Sequence, residues 1–153
     1  MKINLILFLV IIFLFISCNE NNNSTNQCSC ANALLDSIAT VDCSYIVDGD
    51  TWRFYIGSDV ISVRVLGIDC FETKHNTRLD SQANRKGISV DSAFQLGVNA
   101  KSLADSLLGG KKLVIIRDYT QDNFDTYNRL LRYTRINGKS YDSIIKSLGL
   151  DSQ

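Results

Sequence analysis

The sequence predicts a mainly β domain with helices added, and three observations support this prediction. Short stretches rich in β-branched and aromatic residues, which favour strands, recur along the chain. Turn residues such as Gly57-Ser58-Asp59 and Asn137-Gly138 separate them. Two later stretches, 98–108 and 141–148, space their apolar residues as a helix does. A chain of 153 residues is also the length of about one domain.

The predicted elements follow the order β-β-β-α-β-β-α. The five strands are expected at 41–47, 51–56, 60–66, 112–117 and 130–136. The second and third strands form a hairpin, and Ile61, Val63 and Val65 share one of its faces. The polar stretch at 73–95 predicts a long loop, which is either functional or mobile. Five strands with one helix between the third and fourth indicate a small Greek-key barrel of the OB type, closed by a short C-terminal helix.

The first 17 residues are interpreted as an export signal. Residues 5–16 form an uninterrupted apolar run behind Met1-Lys2, shorter than the roughly 20 residues that span a membrane. Ser17-Cys18 follows at once, and a small residue before a cysteine at this place resembles the lipobox of bacterial lipoproteins, in which the cysteine is diacylated. The alternative is ordinary signal cleavage, with Cys18 lost or left free.

Residues 19–27 contain no apolar side chain, so they cannot bury enough surface to offset the entropy of ordering. The expected organisation is a lipoprotein signal peptide at 1–17, the lipidated Cys18 and a flexible tether at 18–37, and a folded domain at 38–153. We therefore expect an exported bacterial lipoprotein, anchored to a membrane by its lipid, in the periplasm or at the cell surface.

Four cysteines remain after Cys18, namely Cys28, Cys30, Cys43 and Cys70. An even number in an exported chain suggests disulfides. A bond between Cys28 and Cys30 would be strained, so pairing of these two with Cys43 and Cys70 is favoured. The alternative is that some of them stay reduced.

Acidic residues gather at one end of the predicted hairpin. Asp50 precedes the outgoing strand and Asp69 follows the returning one, so the hairpin brings both to the same end, with Glu72 close behind. Carboxylates and a free backbone carbonyl are hard ligands that suit calcium or magnesium. Arg64 lies on the returning strand, and its planar fork fits phosphate oxygens. A metal site beside an arginine indicates phosphoryl chemistry.

Several alternative interpretations of the composition and of these residues compete with this one. Sixteen basic and 16 acidic residues balance, which gives no sign of a polyanion partner, and one histidine excludes multi-histidine zinc sites within the chain. Asp48-Gly49-Asp50 alone is more often a turn than a metal site. His75 and Cys70 as a nucleophilic pair are disfavoured, because no orienting partner lies at a recognisable spacing.

Three separated motifs together resemble the staphylococcal nuclease (thermonuclease-like) family. They comprise residues 47–51, 63–75 and 127–129, and the similarity covers roughly residues 41–150. The resemblance implies an OB barrel and calcium-dependent cleavage of DNA and RNA at the 5′-oxygen side of the phosphodiester, leaving 3′-phosphates. The sequence departs from the family at Phe71, where proline is usual.

The resemblance also implies a role for each matching residue. Asp50 and Asp69 correspond to the carboxylate ligands of calcium. Cys70 stands where the family uses a backbone carbonyl as a ligand. Glu72 corresponds to the glutamate that orients or deprotonates the attacking water.

The remaining matches concern phosphate. Arg64 and Arg129 correspond to the two phosphate-binding arginines, and Tyr127 to a tyrosine that helps to hold the terminal phosphate of the substrate. We therefore expect a monomeric nuclease that acts on DNA and/or RNA and is tethered outside the cytoplasm. The alternatives are a non-catalytic, nucleic-acid-binding OB-fold lipoprotein and a structural lipoprotein with a vestigial site.

Overall fold

A computed structural model describes residues 36–153 of the chain. The predicted signal peptide, Cys18, nearly all of the predicted tether, and Cys28 with Cys30 lie outside the described residues. Over residues 36–153, none of the helices has the length and apolar character needed to cross a membrane.

The described residues form a mixed α/β fold that is dominated by one sheet of seven strands. The strands are β1 Ile38–Asp42, β2 Tyr45–Ile46, β3 Thr51–Ile56, β4 Asp59–Val65, β5 Lys112–Ile116, β6 Leu130–Ile136 and β7 Lys139–Ser140. The helices of this part of the chain are α1 Thr77–Lys86, α2 Val90–Leu108 and α3 Tyr141–Ser147.

The sheet has the strand order β1-β5-β6-β4-β3-β2, and β7 pairs with β6. All neighbouring strands are antiparallel except β4 and β6, which run parallel. The path has two ends and does not close into a barrel. Those ends, β1 and β2, are separated in the chain only by Cys43 and Ser44.

The predicted hairpin is confirmed as β3 and β4, and the strand predicted at 130–136 is confirmed as β6. The loop predicted at 73–95 is wrong. Helix α1 occupies its centre, and α2 begins at Val90. Two helices therefore stand where one was predicted. The Asn76 side chain caps α1 by accepting a hydrogen bond from the backbone N–H of Leu79 at 2.8 Å, and Gly87 ends it with φ 67°.

The main core lies between the sheet and α2, with α3 against one end. Its largest fully buried side chains include Trp52, Phe54, Leu113, Ile115 and Leu130. A second, smaller cluster of Phe71, Leu79, Ala83 and Ala93 packs α1 against α2 and against the segment that follows β4. This small cluster fixes the position of α1 beside the predicted catalytic segment.

Cys43 and Cys70 are buried free thiols. Burial raises the pKa of Cys43 to about 11 and that of Cys70 to about 12. Thiols with such pKa values stay protonated at neutral pH and are poor nucleophiles.

Candidate active site

The β3–β4 hairpin brings Asp50 and Arg64 together, as their positions in the sequence predict. Asp50 immediately precedes β3, and its carbonyl accepts a 2.8 Å hydrogen bond from the N–H of Val65. Thr51 pairs with Arg64 across the ladder. Because β6 runs parallel to β4, Arg129 just before β6 also reaches this end, and its Nη1 donates to Thr51 Oγ1 at 3.2 Å.

A cavity of about 30 Å³ lies at this end of the hairpin. It is lined by Asp48, Asp50, Arg64, Cys70, Phe71, Glu72, Arg78 and Arg129. Five residues predicted for the site therefore share one cavity. Tyr127 lines the more open groove next to it, and Asp69 lines neither.

Asp50 is a buried carboxylate, only 4% exposed, and both of its oxygens have hydrogen-bond or ion-pair partners. Its Oδ1 pairs with the guanidinium of Arg64 and accepts from Thr51 Oγ1 at 3.0 Å. Its Oδ2 accepts from the N–H of Cys70 at 2.7 Å. These contacts fix Asp50 against the start of the segment that carries Glu72.

Asp48 is a site residue that the sequence suggested only as part of a turn. Its Oδ1 accepts from the N–H of Asp50 at 3.1 Å. Burial raises the pKa of Asp48, while a hydrogen bond from Thr51 and the charges of Arg64 and Arg129 offset part of that rise. Asp48 thus adds a second carboxylate to the cavity wall beside Asp50.

Asp69 accepts hydrogen bonds on both carboxylate oxygens. Its Oδ1 lies 2.8 Å from Arg64 Nη2 and 2.6 Å from Arg78 Nη2. Its Oδ2 accepts from Ser152 Oγ at 3.0 Å and from Gln82 Nε2 at 3.3 Å. Burial alone would raise the pKa of Asp69, but the Ser152 hydrogen bond and the two arginines hold it below its usual value. Asp69 is therefore ionised, and it holds the guanidinium of Arg64 from a position outside the cavity lining.

Gln82 of α1 holds the segment that carries Glu72 at two points. Its Oε1 accepts from the N–H of Glu72 at 2.9 Å, and its Nε2 donates to the carbonyl of Cys70 at 2.9 Å. The side chain of Gln82 is almost fully buried. Arg78, one turn earlier on α1, places its Nε 3.0 Å from Glu72 Oε1. Sequence reasoning missed both residues because they lie in the stretch interpreted as a loop.

The sequence has Phe71 where the resemblance leads one to expect proline. The phenyl ring is buried with Leu79, Ala83 and Ala93. A ring packed on two helices holds its segment in place through the side chain, whereas proline fixes the backbone φ through its own ring. Rigidity around Glu72 is thus supplied by packing and by Gln82.

Gly97 of α2 is required for the close approach of the helix to this segment. A Cβ atom at position 97 would lie 2.5 Å from the carbonyl oxygen of Glu72 and 2.7 Å from that of Phe71. Both contacts are far shorter than real Cβ contacts, and both partners are backbone atoms. Only glycine lets α2 support the segment at this distance.

We expect Gly97→Ala to destabilise the protein by about 1–3 kcal/mol, because the methyl group forces the segment or the helix to move. Helix propensity alone predicts the opposite sign, a gain of about 1 kcal/mol. Urea unfolding followed by far-UV circular dichroism measures the difference. Ser102→Ala, at an exposed position of the same helix, is the control and should change stability little. A Gly97→Ala protein more stable than wild type would contradict this account of the contact.

The loop before β6 positions Arg129 and Tyr127 through Asp125. Asp125 Oδ1 accepts from the N–H groups of Tyr127 and Arg129, each at 2.9 Å, and its Oδ2 lies 2.7 Å from Arg129 Nε. The guanidinium of Arg129 lies 5.4 Å from the centre of the Tyr127 ring. Asn128 adopts φ 59°, a conformation that asparagine tolerates. Asp125 thus directs Arg129 toward the cavity.

Two observations speak against the cysteine–histidine alternative. The thiol of Cys70 is buried and protonated, as described above. The ring of His75 stacks on Phe94, with 4.6 Å between the ring centres. Neither group is arranged for nucleophilic catalysis.

The donor atoms near the cavity fit a hard divalent cation in chemical type. Asp50, Asp69 and the carbonyl of Cys70 supply oxygen ligands, and calcium accepts carboxylates, carbonyls and waters together. Among residues 36–153, no group of three or more His, Cys, Asp or Glu side chains is arranged to hold a metal ion. In this structure the oxygens of Asp50 and Asp69 pair with Arg64 and accept further hydrogen bonds, and the carbonyl of Cys70 accepts from Gln82. These residues therefore match calcium in the type of donor atom, and not in a preformed coordination geometry.

The cavity therefore combines guanidinium groups with carboxylates. Arg64, Arg78 and Arg129 can bind the oxygens of a phosphate, and Glu72 can orient or deprotonate a water. No protein-family model matches the chain, and no curated protein is significantly similar to it. The arrangement of the site residues is thus the basis for assigning a function.

Proposed function

We propose that this chain is a calcium-dependent phosphodiesterase of the staphylococcal nuclease (thermonuclease-like) type. It hydrolyses DNA and/or RNA at the 5′-oxygen side and leaves 3′-phosphates. One observation carries the proposal: Asp50, Arg64, Glu72 and Arg129, which lie on three separate segments, line the same small cavity. A charged cavity of this kind suits a phosphodiester and an attacking water.

Each residue has a distinct part in the proposed reaction. Arg64 and Arg129 bind the scissile phosphate and stabilise the charge that develops on its oxygens in the transition state. Glu72, held by Gln82 and Arg78, orients the water that attacks phosphorus in line. Tyr127, which lines the adjoining groove, helps to hold a terminal phosphate.

Asp50, Asp69 and the backbone carbonyl of Cys70 are the proposed calcium ligands. Calcium, when bound, supplies positive charge that polarises the phosphate. Arg64 pairs with both of these carboxylates and also lines the cavity. Because a cation held by Asp50 and Asp69 would take over some of these oxygens, we propose that the guanidinium of Arg64 turns from the aspartates toward the phosphate.

We also propose that this open sheet corresponds to the partly open barrel of the OB type, in which β1 and β2 are two parts of one bent first strand. Backbone hydrogen bonds of Cys43 and Ser44, the two residues between β1 and β2, support this proposal. Cys43 N–H donates to the carbonyl of Lys111 beside β5, and Ser44 N–H donates to the carbonyl of Arg53 in β3, both at 2.9 Å. Consecutive residues thus bond beside β5 and to β3, the strands next to the two opposite ends of the sheet order, as they would at the seam of a barrel.

The proposed setting follows from the N-terminal sequence. The chain would be exported, lipidated at Cys18 and held as a monomer at a membrane, where it meets DNA or RNA outside the cytoplasm. Export also fits a calcium enzyme, since extracellular modules commonly bind calcium weakly, with dissociation constants of about 10⁻⁴–10⁻³ M.

The test is digestion of DNA and RNA by the full-length chain in detergent, with calcium and with a chelator. We expect cleavage with calcium, none with the chelator, and products that carry 3′-phosphates. Glu72→Gln should lose most of the activity, while Asp105→Asn, at an exposed carboxylate of α2, should keep it. Equal cleavage under both conditions would contradict the proposal. Binding of oligonucleotides without cleavage would instead support the non-catalytic alternative.

A further inference from the structure

The outer face of the β2–β3–β4 part of the sheet carries exposed aromatic and basic side chains. Tyr45 on β2 pairs with Arg53 on β3, and Tyr55 on β3 pairs with Val60 on β4. Paired residues project to the same face, and so do residues two apart on one strand. Tyr45 is 57% exposed and Tyr55 is 61% exposed, although both are large side chains on a regular sheet.

This face continues directly from the candidate active site. The groove beside the cavity has a volume of about 470 Å³, and its walls include Thr51, Arg53, Ser62, Tyr127 and Arg129. Arg53 lies two residues after Thr51 on β3, and Tyr55 lies two residues further. Each step of two residues advances about 6.6 Å along a strand. The face therefore continues along β3 from the groove at Arg53 to Tyr55, and Tyr45 lies beside Arg53 on β2.

The charges along this face favour a polyanion. Arg129 and Arg53 line the groove, and at the β2 edge of the sheet the Nζ of Lys101, from α2, lies 6.0 Å from the centre of the Tyr45 ring. Acidic groups of the groove, Asp48 and Glu72, are confined to the end that forms the catalytic cavity. The face beyond that cavity thus combines aromatic rings with guanidinium and ammonium groups.

We propose that this face, with Tyr45, Arg53 and Tyr55, binds single-stranded polynucleotide beyond the scissile phosphate. Unpaired bases stack on exposed tyrosine rings, and phosphates pair with arginine and lysine. The bases of a duplex are already stacked and present no free face to a tyrosine. The proposal rests on the nuclease function for the position of the scissile phosphate, and it adds subsites that this function does not require.

The experiment compares two substrates with the full-length chain in detergent and calcium. One is a dinucleotide that reaches only the cavity, and the other is a single strand of about 16 nucleotides, the upper range that one OB-type fold covers. The variants are Tyr45→Ala and Tyr55→Ala. Tyr119→Ala is the matched control, because Tyr119 is equally exposed but packs on Arg117 and lies outside the groove.

We expect the kcat/KM for the long strand to fall at least about fivefold further than that for the dinucleotide in each of the two variants, since one lost stack weakens binding by that factor or more. Tyr119→Ala should show no such difference. Equal losses on both substrates, or the same loss in Tyr119→Ala, would overturn the proposal. A change in oligomeric state instead of binding would overturn it too, by making the face a self-association surface.

Failure of the nuclease function gives a different result. In that case the wild-type chain cleaves neither substrate, and fluorescence anisotropy with the long strand then measures binding directly. A dissociation constant raised at least about fivefold by Tyr45→Ala and Tyr55→Ala, but not by Tyr119→Ala, supports the subsites without catalysis. Unchanged binding in both variants overturns them.

Discussion

Replacing Arg64 with alanine should lower the kcat of DNA cleavage by about a thousandfold. Arginines that neutralise the charge of a phosphoryl transition state contribute about 10³–10⁵ in rate. Arg64 lines the cavity and is held beside it by Asp50 and Asp69, so its positive charge is already in place before phosphate binds. Multiple-turnover digestion of a labelled single strand at saturating calcium measures the effect.

The same substitution also affects stability, and a second variant separates the two effects. Without Arg64 the buried carboxylate of Asp50 loses its cationic partner, and breaking a buried ion pair in this way costs about 3–5 kcal/mol. Arg64→Lys keeps a positive charge but lacks the planar fork. We expect it to unfold in urea nearly as wild type does, while its kcat stays about a hundredfold low. A folded Arg64→Ala protein within tenfold of wild-type kcat would exclude Arg64 from the proposed catalytic role.

The grouping of the site was predictable because it follows from strand geometry. A hairpin places the residue before its first strand beside the residues near the end of its second, so Asp50 and Arg64 meet without any knowledge of the rest of the fold. The position of Arg129 could not be predicted from local strand geometry. It depends on β6 lying parallel to β4, a long-range pairing that strand propensity does not encode. Only the resemblance to the nuclease family placed Arg129 in the site.

Helix α1 was missed because most of its residues are polar. Of its ten residues only Leu79, Gln82 and Ala83 are buried, so few apolar side chains mark its inner face and the segment resembles a polar loop in composition. Asn76 and Gly87, its start and stop residues, were the signal that could have located it. Because α1 was missed, so were Arg78 and Gln82. The hydrogen bonds that occupy the carboxylate of Asp69 were missed for the same reason, since Arg78 and Gln82 both donate to it.

Gln82→Met tests whether α1 positions the site or merely covers it. Methionine has a similar length and suits a buried position, but it cannot accept from the N–H of Glu72 or donate to the carbonyl of Cys70. Each backbone group left buried without a partner costs about 1–3 kcal/mol. We therefore expect a loss of stability of about 2–5 kcal/mol in urea unfolding, with the protein still folded at room temperature.

The decisive readout for Gln82 is the calcium dependence of the remaining activity. Groups that orient metal ligands typically contribute about 10–100-fold to metal affinity or activity. Gln82 holds the carbonyl of Cys70 and the carboxylate of Asp69, two of the three proposed ligands, so Gln82→Met should raise the calcium concentration for half-maximal cleavage at least about tenfold. Gln95→Met, at an exposed glutamine of α2, is the control and should leave it unchanged. A purely structural role predicts lower stability with an unaltered calcium midpoint, and that result would show that α1 supports the fold without positioning the ligands.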